Sequence, residues 1–458
     1  MNAARLGAKS AYTMLCSSVL FPLQETAKRH GSVARRRALE QSQWWPRERI
    51  ERDRLNRLRE FLGTVAATVP YYEQLFRQIG FRPSHLGRIG DLAAIPFLTK
   101  GLIRANIAAL KGRSAKGLVR YNTGGSSGEP LVFYLGRERV SHDVAAKWRA
   151  TRWWNVDIGD REIVAWGSPI ELGVQDWARG VRDRLFRTTL LPAFEMSESK
   201  LQQFVARIRA VRPAMLFGYP SALAYIARYA DARGLALNEL GIRVAFVTSE
   251  RLYPEQRAAI ETAFGCPVAN GYGGRDSGFI AHECPAGGMH IMAEDIVVEI
   301  VDGEGRPQPA GVAGEIVVTH MATREFPFIR YRTGDVGVLD DRACACGRGL
   351  PLIREIHGRT TDFVVAQDGT IMHGLALIYV IRDLSGIARF KIVQESVAHT
   401  RVLLVPDAGF DPGHVLRIER EFVRRLGPDV RVDVECMSDI PAEPSGKFRY
   451  VLSKAVVS

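Results

Sequence analysis

The sequence predicts an α/β protein: a large domain of layered α/β structure followed by a small α+β domain. Two observations carry this. Between residues 121 and 264, short apolar strand patterns alternate with amphipathic helix patterns, as parallel α/β layers require. From Gly358 onward, a further set of strands and one helix supplies enough chain for a separate small unit. The expected domains are therefore 1–358, with a helical first ~100 residues, and 359–458.

Each element has its own signal. AYTMLCSSVLFPL (11–23) is an apolar run broken by polar residues and too short to cross a membrane. Its expected state is a helix packed on the body, with contact to a membrane surface as a further option. RIERDRLNRLREFLGTVAATV places Leu55, Leu58, Leu62 and Val65 at helical spacing, and Pro70 ends the run. PFLTKGLIRANIAAL (96–110) starts another helix, with Thr99 as N-cap. VRYNTGG reads as strand then loop, LVFYL as a strand and SHDVAAKWRATRWWNV as a helix. REIVAWG is a strand, LQQFVARIRAVRP an amphipathic helix, and AMLFGYPSALAYIARYA a strand, turn and helix. IRVAFVTSE with PEQRAAIETAF repeats that last pattern. Beyond 290 strands dominate, in HIMAEDIVVEIVD, GEIVVTH and DVGVLD. The tail holds KIVQES, TRVLLVP and VRVDVEC with the helix HVLRIEREFVRRL.

The chain is 46% hydrophobic and 24% charged, and its net charge of +12 suits nucleic acid, an anionic membrane or a polyanionic small molecule. No zinc finger, helix-turn-helix or RNP-like signature is present, which sets nucleic acid aside. Six unevenly spaced cysteines do not make a disulfide scaffold, so a reducing, cytoplasmic setting is expected.

Five short segments bear on chemistry. YNTGGSSGEP (121–130) combines close-approach glycines with hydroxyls around a would-be anion, yet lacks the lysine of a Walker A loop. NGYGGRDSG (270–278) sets an aromatic among glycines with a carboxylate four residues on. YRTGDVG (331–337) presents Asp335 at an expected turn after a strand. IHGRTTD (356–362) puts Arg359 at the expected domain boundary, and PAEPSGKFRY (441–450) carries Lys447 on a turn. Taken singly, each is equally an ordinary loop or turn.

In this order and spacing, the five resemble the motif series of adenylate-forming, AMP-binding enzymes. More closely, the chain from PFLTK near 96 to SGK near 447 resembles the phenylacetate–CoA ligase-like branch, including members associated with capsular polysaccharide synthesis. That resemblance implies ATP-dependent activation of a carboxylic acid to an acyl-adenylate, then thioester formation with coenzyme A. It implies ATP, Mg2+ and coenzyme A as small-molecule partners, and a mobile small domain that carries the catalytic lysine.

Residue by residue, Thr123, Ser126 and Ser127 would offer hydroxyls, and Gly124, Gly125 and Gly128 amides, to the departing pyrophosphate. Tyr272 would flank adenine, Gly273 would be a nucleotide-binding position beside it, and Asp276 would stand near Mg2+. The family motif reads Tyr-Gly-x-Thr-Glu; here Arg275 replaces the hydroxyl and Asp276 is one methylene shorter. Asp335 would accept the ribose hydroxyls, Arg359 would contact nucleotide near the hinge, and Lys447 would pair with carboxylate and α-phosphate oxygens. VTSE (247–250) would border adenine, with Glu250 equally a surface residue. WGSPIELG (166–173) and FGYPSALA (217–224) would build the acyl pocket, with Trp166, Phe217 and Tyr219 equally core residues.

Cys284, His290, Cys344 and Cys346 make a complete tetrahedral zinc set by ligand type, and the resembling branch includes members with a structural zinc in this region. Buried free cysteines, a redox pair, or His282 in place of His290 are the rivals. The acyl acceptor also has alternatives: an amine, a sugar or a separate carrier protein. A catalytically lapsed binding module is the contrasting reading. The acid's identity and the oligomeric state, a homodimer among the options, are not encoded in any motif.

Overall fold

The computed structural model describes residues 9–123, 131–166, 176–193, 195–357, 363–440 and 451–455. Its centre is an eleven-stranded sheet among those residues. One half is parallel: Thr188–Pro192, Glu162–Trp166, Met215–Gly218, Val244–Thr248 and Val268–Gly274 lie side by side. The sheet then turns antiparallel through Gly278–Glu283, Met289–Ile291, Leu352–Ile356, Phe328–Asp340, Ala313–His320 and Ile296–Val301.

Helices cover the parallel half on both faces, as continuous apolar strands demand. Met215–Gly218 and Val244–Thr248 are buried along their whole length. On one face Phe204, Leu223, Ile260 and Phe264 from three helices pack on Ile163, Leu216 and Val247. On the other, Ala150 of helix Arg137–Trp153 packs against Phe217, Val244 and Phe246. The helices Arg47–Thr68 and Pro70–Gln78 form a separate core with Phe133, Phe328 and Tyr331.

Two sequence expectations take a different form. Pro70 ends one helix but also starts the next at its first position, where its missing N–H costs nothing. HIMAEDIVVEIVD is not one strand but two, with a tight turn at 292–295 between them. Thr99 caps its helix as expected, accepting from the Leu102 N–H at 3.2 Å.

The C-terminal unit has its own core, including Phe390, Ile392, Leu404, Ile418 and Phe422, around a four-stranded sheet of Arg431–Cys436, His399–Pro406, Ile387–Ser396 and Val451–Ser453. A hairpin, Phe363–Val365 with Ile371–His373, pairs with Glu195–Met196 of the large body. The expected boundary at 358–362 falls outside the described residues.

Two fully buried arginines on helix Arg137–Trp153 tie distant chain together. Arg149 pairs with Glu294 in the 292–295 turn and donates to the carbonyl of Leu39 at 2.8 Å. Glu294 also accepts from the Ser42 hydroxyl at 2.7 Å. Removing one member of such a pair strands the other charge in low dielectric. Arg149→Met is expected to destabilise the fold by about 3–5 kcal/mol in denaturant unfolding, and Glu294→Gln, which leaves the buried Arg149 charge uncompensated, by a similar amount.

Candidate active site

Trp166, Tyr219, Glu250 and Tyr272 all stand at or just past the carboxyl ends of the parallel strands, where open α/β sheets bind ligands. Trp166 and Tyr219 stack with ring centroids 4.3 Å apart. Gly218 permits the approach, because a Cβ there would overlap the carbonyl oxygen of Ala165. Phe217 is core, lying between Trp166 and Phe246 at 5.9 and 6.0 Å. Glu250 is tied down: its carboxylate accepts from the Ser221 hydroxyl and from the Ser221 N–H at 3.4 Å.

The segments NGYGGRDSG and YRTGDVG meet through two tyrosine–carboxylate hydrogen bonds. The Tyr272 hydroxyl donates to Asp335 Oδ2 at 3.0 Å, and the Tyr331 hydroxyl donates to Asp276 Oδ2 at 2.6 Å. Each segment thus supplies one tyrosine and one carboxylate to the other. Asp335 does not sit on a terminating turn, as the sequence suggests, but on a bulge within the long strand Phe328–Asp340. Gly334 takes φ +77°, Thr333 donates to the carbonyl of Ile316 at 2.8 Å, and the Asp335 N–H donates to the Thr333 hydroxyl at 3.1 Å. The bulge turns Asp335 toward Tyr272. A parallel bridge between Leu98 and Tyr331 packs the PFLTK segment against the same strand.

The 275–277 turn is held from below. Arg139, fully buried, donates to the carbonyls of Asp276 at 3.1 Å and Arg275 at 3.2 Å. Its charge is balanced by Asp143, whose two oxygens lie 3.0 and 2.9 Å from Nε. Burial alone would raise the Asp143 pKa, but Arg139 and the neighbouring histidines more than reverse it and hold the carboxyl well below the usual range. His142, Asp143 and His320 converge closely enough to suggest a metal site. With Arg139 on both carboxylate oxygens, the cluster instead satisfies a buried cation. Tyr331 and Arg139 were not singled out from the sequence.

Arg275 reaches toward the Gly/Ser loop, its guanidinium 3.5 Å from the carbonyl of Asn122. Thr123 closes the base of that loop: its hydroxyl accepts from the Leu131 N–H at 2.9 Å, and its N–H donates to the Leu131 carbonyl. Gly124, Gly125, Ser126, Ser127, Gly128, Arg359 and Lys447 lie outside the described residues, as does 167–173 of the expected acyl pocket. Among the described residues, then, Thr123, Tyr272, Gly273, Asp276 and Asp335 come to one end of the sheet. The helix Leu375–Arg382 brings Tyr379 within electrostatic reach of Arg275 and Tyr219.

The cysteine set is also assembled. One donor atom from each of Cys284, His290, Cys344 and Cys346 lies within 4.8 Å of all the others. Cys284 Sγ and Cys344 Sγ are 3.6 Å apart, and His290 Nε2 is 3.2 Å from Cys346 Sγ. A tetrahedral zinc with Zn–S bonds of about 2.3 Å needs ligand separations of about 3.8 Å, so the set fits in kind and spacing. His290 Nδ1 faces the carbonyl of Leu350 at 3.3 Å, which fixes the tautomer that leaves Nε2 as a ligand. His282, the rival ligand, instead lies between the rings of Phe246 and Phe279 at 5.6 and 5.4 Å.

Comparison with known proteins then settles kinship. Residues 187–323 match the AMP-binding enzyme family, and residues 364–454 match the CapK C-terminal domain. The chain belongs to the adenylate-forming superfamily. It is 24% identical over 409 residues to Protein CapK of Staphylococcus aureus, covering 87% of this chain and 88% of that one. It is 24% identical over 400 residues to a phenylacetate-coenzyme A ligase of Thermus thermophilus, covering 85% and 86%, and 27% identical over 325 residues to that of Pseudomonas putida, covering 69% and 72%. Among solved structures, 2-hydroxyisobutyryl-CoA ligase with 2-HIB-AMP and CoA aligns with a TM-score of 0.65 at 21% identity, over 91% of this chain and 92% of that one. At that identity the likeness establishes the fold.

Burial gives this superfamily member a defined acid sensitivity. His282 and His320 are fully buried, and burial, with nearby positive charge, pushes both down to about 3. The folded pKa lies below the unfolded value of about 6.5, so the unfolded chain binds the proton first. Stability is complete above pH 6.5 and falls as pH drops toward 3, by about 1.4 kcal/mol per pH unit per histidine. Denaturant unfolding between pH 6 and 4 is expected to approach this slope, and His282→Phe to reduce it by one histidine's share.

Proposed function

We propose that this chain activates a carboxylic acid with ATP, forming an acyl-adenylate and pyrophosphate, and then transfers the acyl group to coenzyme A. The single observation that carries the reading is the reciprocal pair Tyr272–Asp335 and Tyr331–Asp276 at the carboxyl end of the sheet, in a chain of this superfamily. In-line attack on the α-phosphate asks the protein for positioning and charge stabilisation more than covalent chemistry. Asp335, its Oδ2 held by the Tyr272 hydroxyl, is in this reading the carboxylate that accepts from the ribose hydroxyls. Tyr272 presents a half-buried ring beside glycines, a surface on which adenine stacks.

Asp276 accepts from Tyr331 at one oxygen and from the Ser277 N–H, 2.9 Å away, at the other, and each oxygen retains a lone pair. It thus suits Mg2+, which is commonly held by one or two carboxylates together with substrate phosphates and would neutralise charge on the triphosphate. In this reading Thr123 through Gly128 hold the leaving pyrophosphate, Arg359 contacts nucleotide near the hinge, and Lys447 stabilises the α-phosphate during adenylation. The small domain, 359–458, then turns to admit the thiol. A half-exposed Trp166 stacked on Tyr219 favours an apolar or aromatic acid. Cys284, His290, Cys344 and Cys346 hold one structural Zn2+.

Pyrophosphate release from ATP, measured across aryl, fatty and amino acids with and without coenzyme A, tests the activity. Release with some acids, and turnover that depends on coenzyme A, is the expected result. Release that instead depends on an amine, sugar or carrier protein would replace the acceptor, and an absence of ATP binding would overturn the reading. Asp335→Ala is expected to raise the KM for ATP by roughly 10–100-fold, the worth of one or two charge-assisted hydrogen bonds. Lys447→Ala should abolish pyrophosphate release while the thermal melt is unchanged. Elemental analysis should find one zinc per chain, and Cys344→Ser together with Cys346→Ser should lose it and lower the melting temperature; a metal-free wild type would remove the zinc from the account.

A further inference from the structure

The N-terminal helical segment is patterned inside out. Its inward face is largely polar: Thr13 donates to Asp160 Oδ1 at 3.0 Å, and the Tyr12 hydroxyl and Cys16 thiol both donate to the carbonyl of Leu185, at 2.9 and 3.6 Å. Glu25 is buried and accepts from the Ser32 hydroxyl and from His30 Nδ1. Phe21 supplies the apolar docking, edge-on to Trp148 and Phe186 at 5.1 and 5.6 Å. The outward face, by contrast, shows Met14, Leu15, Val19 and Leu23, from 44% to 63% exposed.

The backbone keeps that outer stripe straight. Residues 16–20 form a π-helical turn, closed by the Phe21 N–H on the carbonyl of Cys16. A four-residue step overshoots a full circle in an α-helix and falls short of one in a π turn. Leu15, Val19 and Leu23, each four apart, therefore stay in line instead of spiralling round to the body. Next to them, across Leu185, helix Asp176–Leu185 exposes Val181 and Leu185. Six of the fourteen exposed large apolar side chains among the described residues thus lie on two adjoining elements. Such a concentration marks an interaction surface rather than scattered exposure.

Its charge says what kind. Lys28 and Arg29 follow the apolar stripe, Arg182 and Arg184 alternate with Val181 and Leu185, and the Arg187 guanidinium sits 3.9 Å from the centre of the Tyr12 ring. The acidic groups here are few: Glu25 is buried with Lys28 3.8 Å away, Asp183 is taken by Arg182, and Asp176 stands at the opposite end of its helix from Leu185. Two copies meeting across a two-fold axis would set these arginine rims against each other, which argues against a second copy of the chain. No helix among the described residues is long and apolar enough to cross a membrane. We propose that this face docks on the surface of an anionic lipid bilayer, with Leu15, Val19 and Leu23 at the acyl boundary and the basic side chains at the level of the headgroups.

Flotation of the full-length protein with phosphatidylcholine vesicles, with or without phosphatidylglycerol, tests this. The wild type is expected to float with the anionic vesicles and about tenfold less with the neutral ones, or with anionic vesicles in high salt. The variant Leu15→Ser/Val19→Ser/Leu23→Ser should stay at the bottom while keeping its melting temperature and oligomeric state. If that variant does not fold, Arg182→Gln/Arg184→Gln, which leaves the apolar stripe intact, should reduce flotation several-fold. Failure of the wild type to float, or equal flotation of the folded variants, would overturn the proposal. So would a dimeric wild type that the serine variant converts to monomer, since the face would then be a subunit interface.

Discussion

A buried positive charge must be neutralised and hydrogen-bonded in place, and the site depends on that constraint at Arg139. Its guanidinium has no access to water, so its donors must find fixed acceptors. Asp143 supplies the countercharge, and the carbonyls of Arg275 and Asp276 take other donors. The consequence is a turn whose backbone cannot drift without stranding a charge. Gly278, at φ +87°, completes the fit, because a Cβ there would press on both His320 and Arg139. The same helix repeats the device at Arg149, which fixes the 292–295 turn and the helix Ser32–Ser42.

On that footing the two tyrosine–carboxylate bonds have a clear physical effect. Asp276 and Asp335 come from chain segments about sixty residues apart, and a flexible carboxylate makes a poor ligand for a specific hydroxyl or cation. Each is oriented by a phenol from the opposite segment, at 2.6 and 3.0 Å. Tyr331 is fully buried, so its bond to Asp276 is made in a site shielded from competing water. Preorganisation of this kind lowers the ordering cost when nucleotide arrives.

The cysteine cluster and the N-terminal segment lie outside those two paired segments. The cluster joins the strand ends at 283–291 to the 344–350 turn. The N-terminal segment is attached by hydrogen bonds and one aromatic, leaving its aliphatic residues outward.

The layered α/β class, the separate helix and strands after 358, and the Thr99 cap were legible in the sequence, since they follow from periodicity and from a residue's own backbone chemistry. Short, ordered motifs singled out Tyr272, Asp276 and Asp335 but not their pairing, and ligand type singled out three thiols with one imidazole. The bulge that aims Asp335 was not legible: it arises from pairing with Glu315 and Ile316 on a neighbouring strand, which leaves no local trace. Arg139 with Asp143 reads in sequence as an ordinary exposed i,i+4 pair, and only the turn folding over it removes the water. His282 and His290 are equally good zinc ligands as letters; tertiary packing put one among phenylalanines and the other beside three sulfurs. Contacts between residues far apart in the chain decided these points, and such contacts exist only once the sheet has formed.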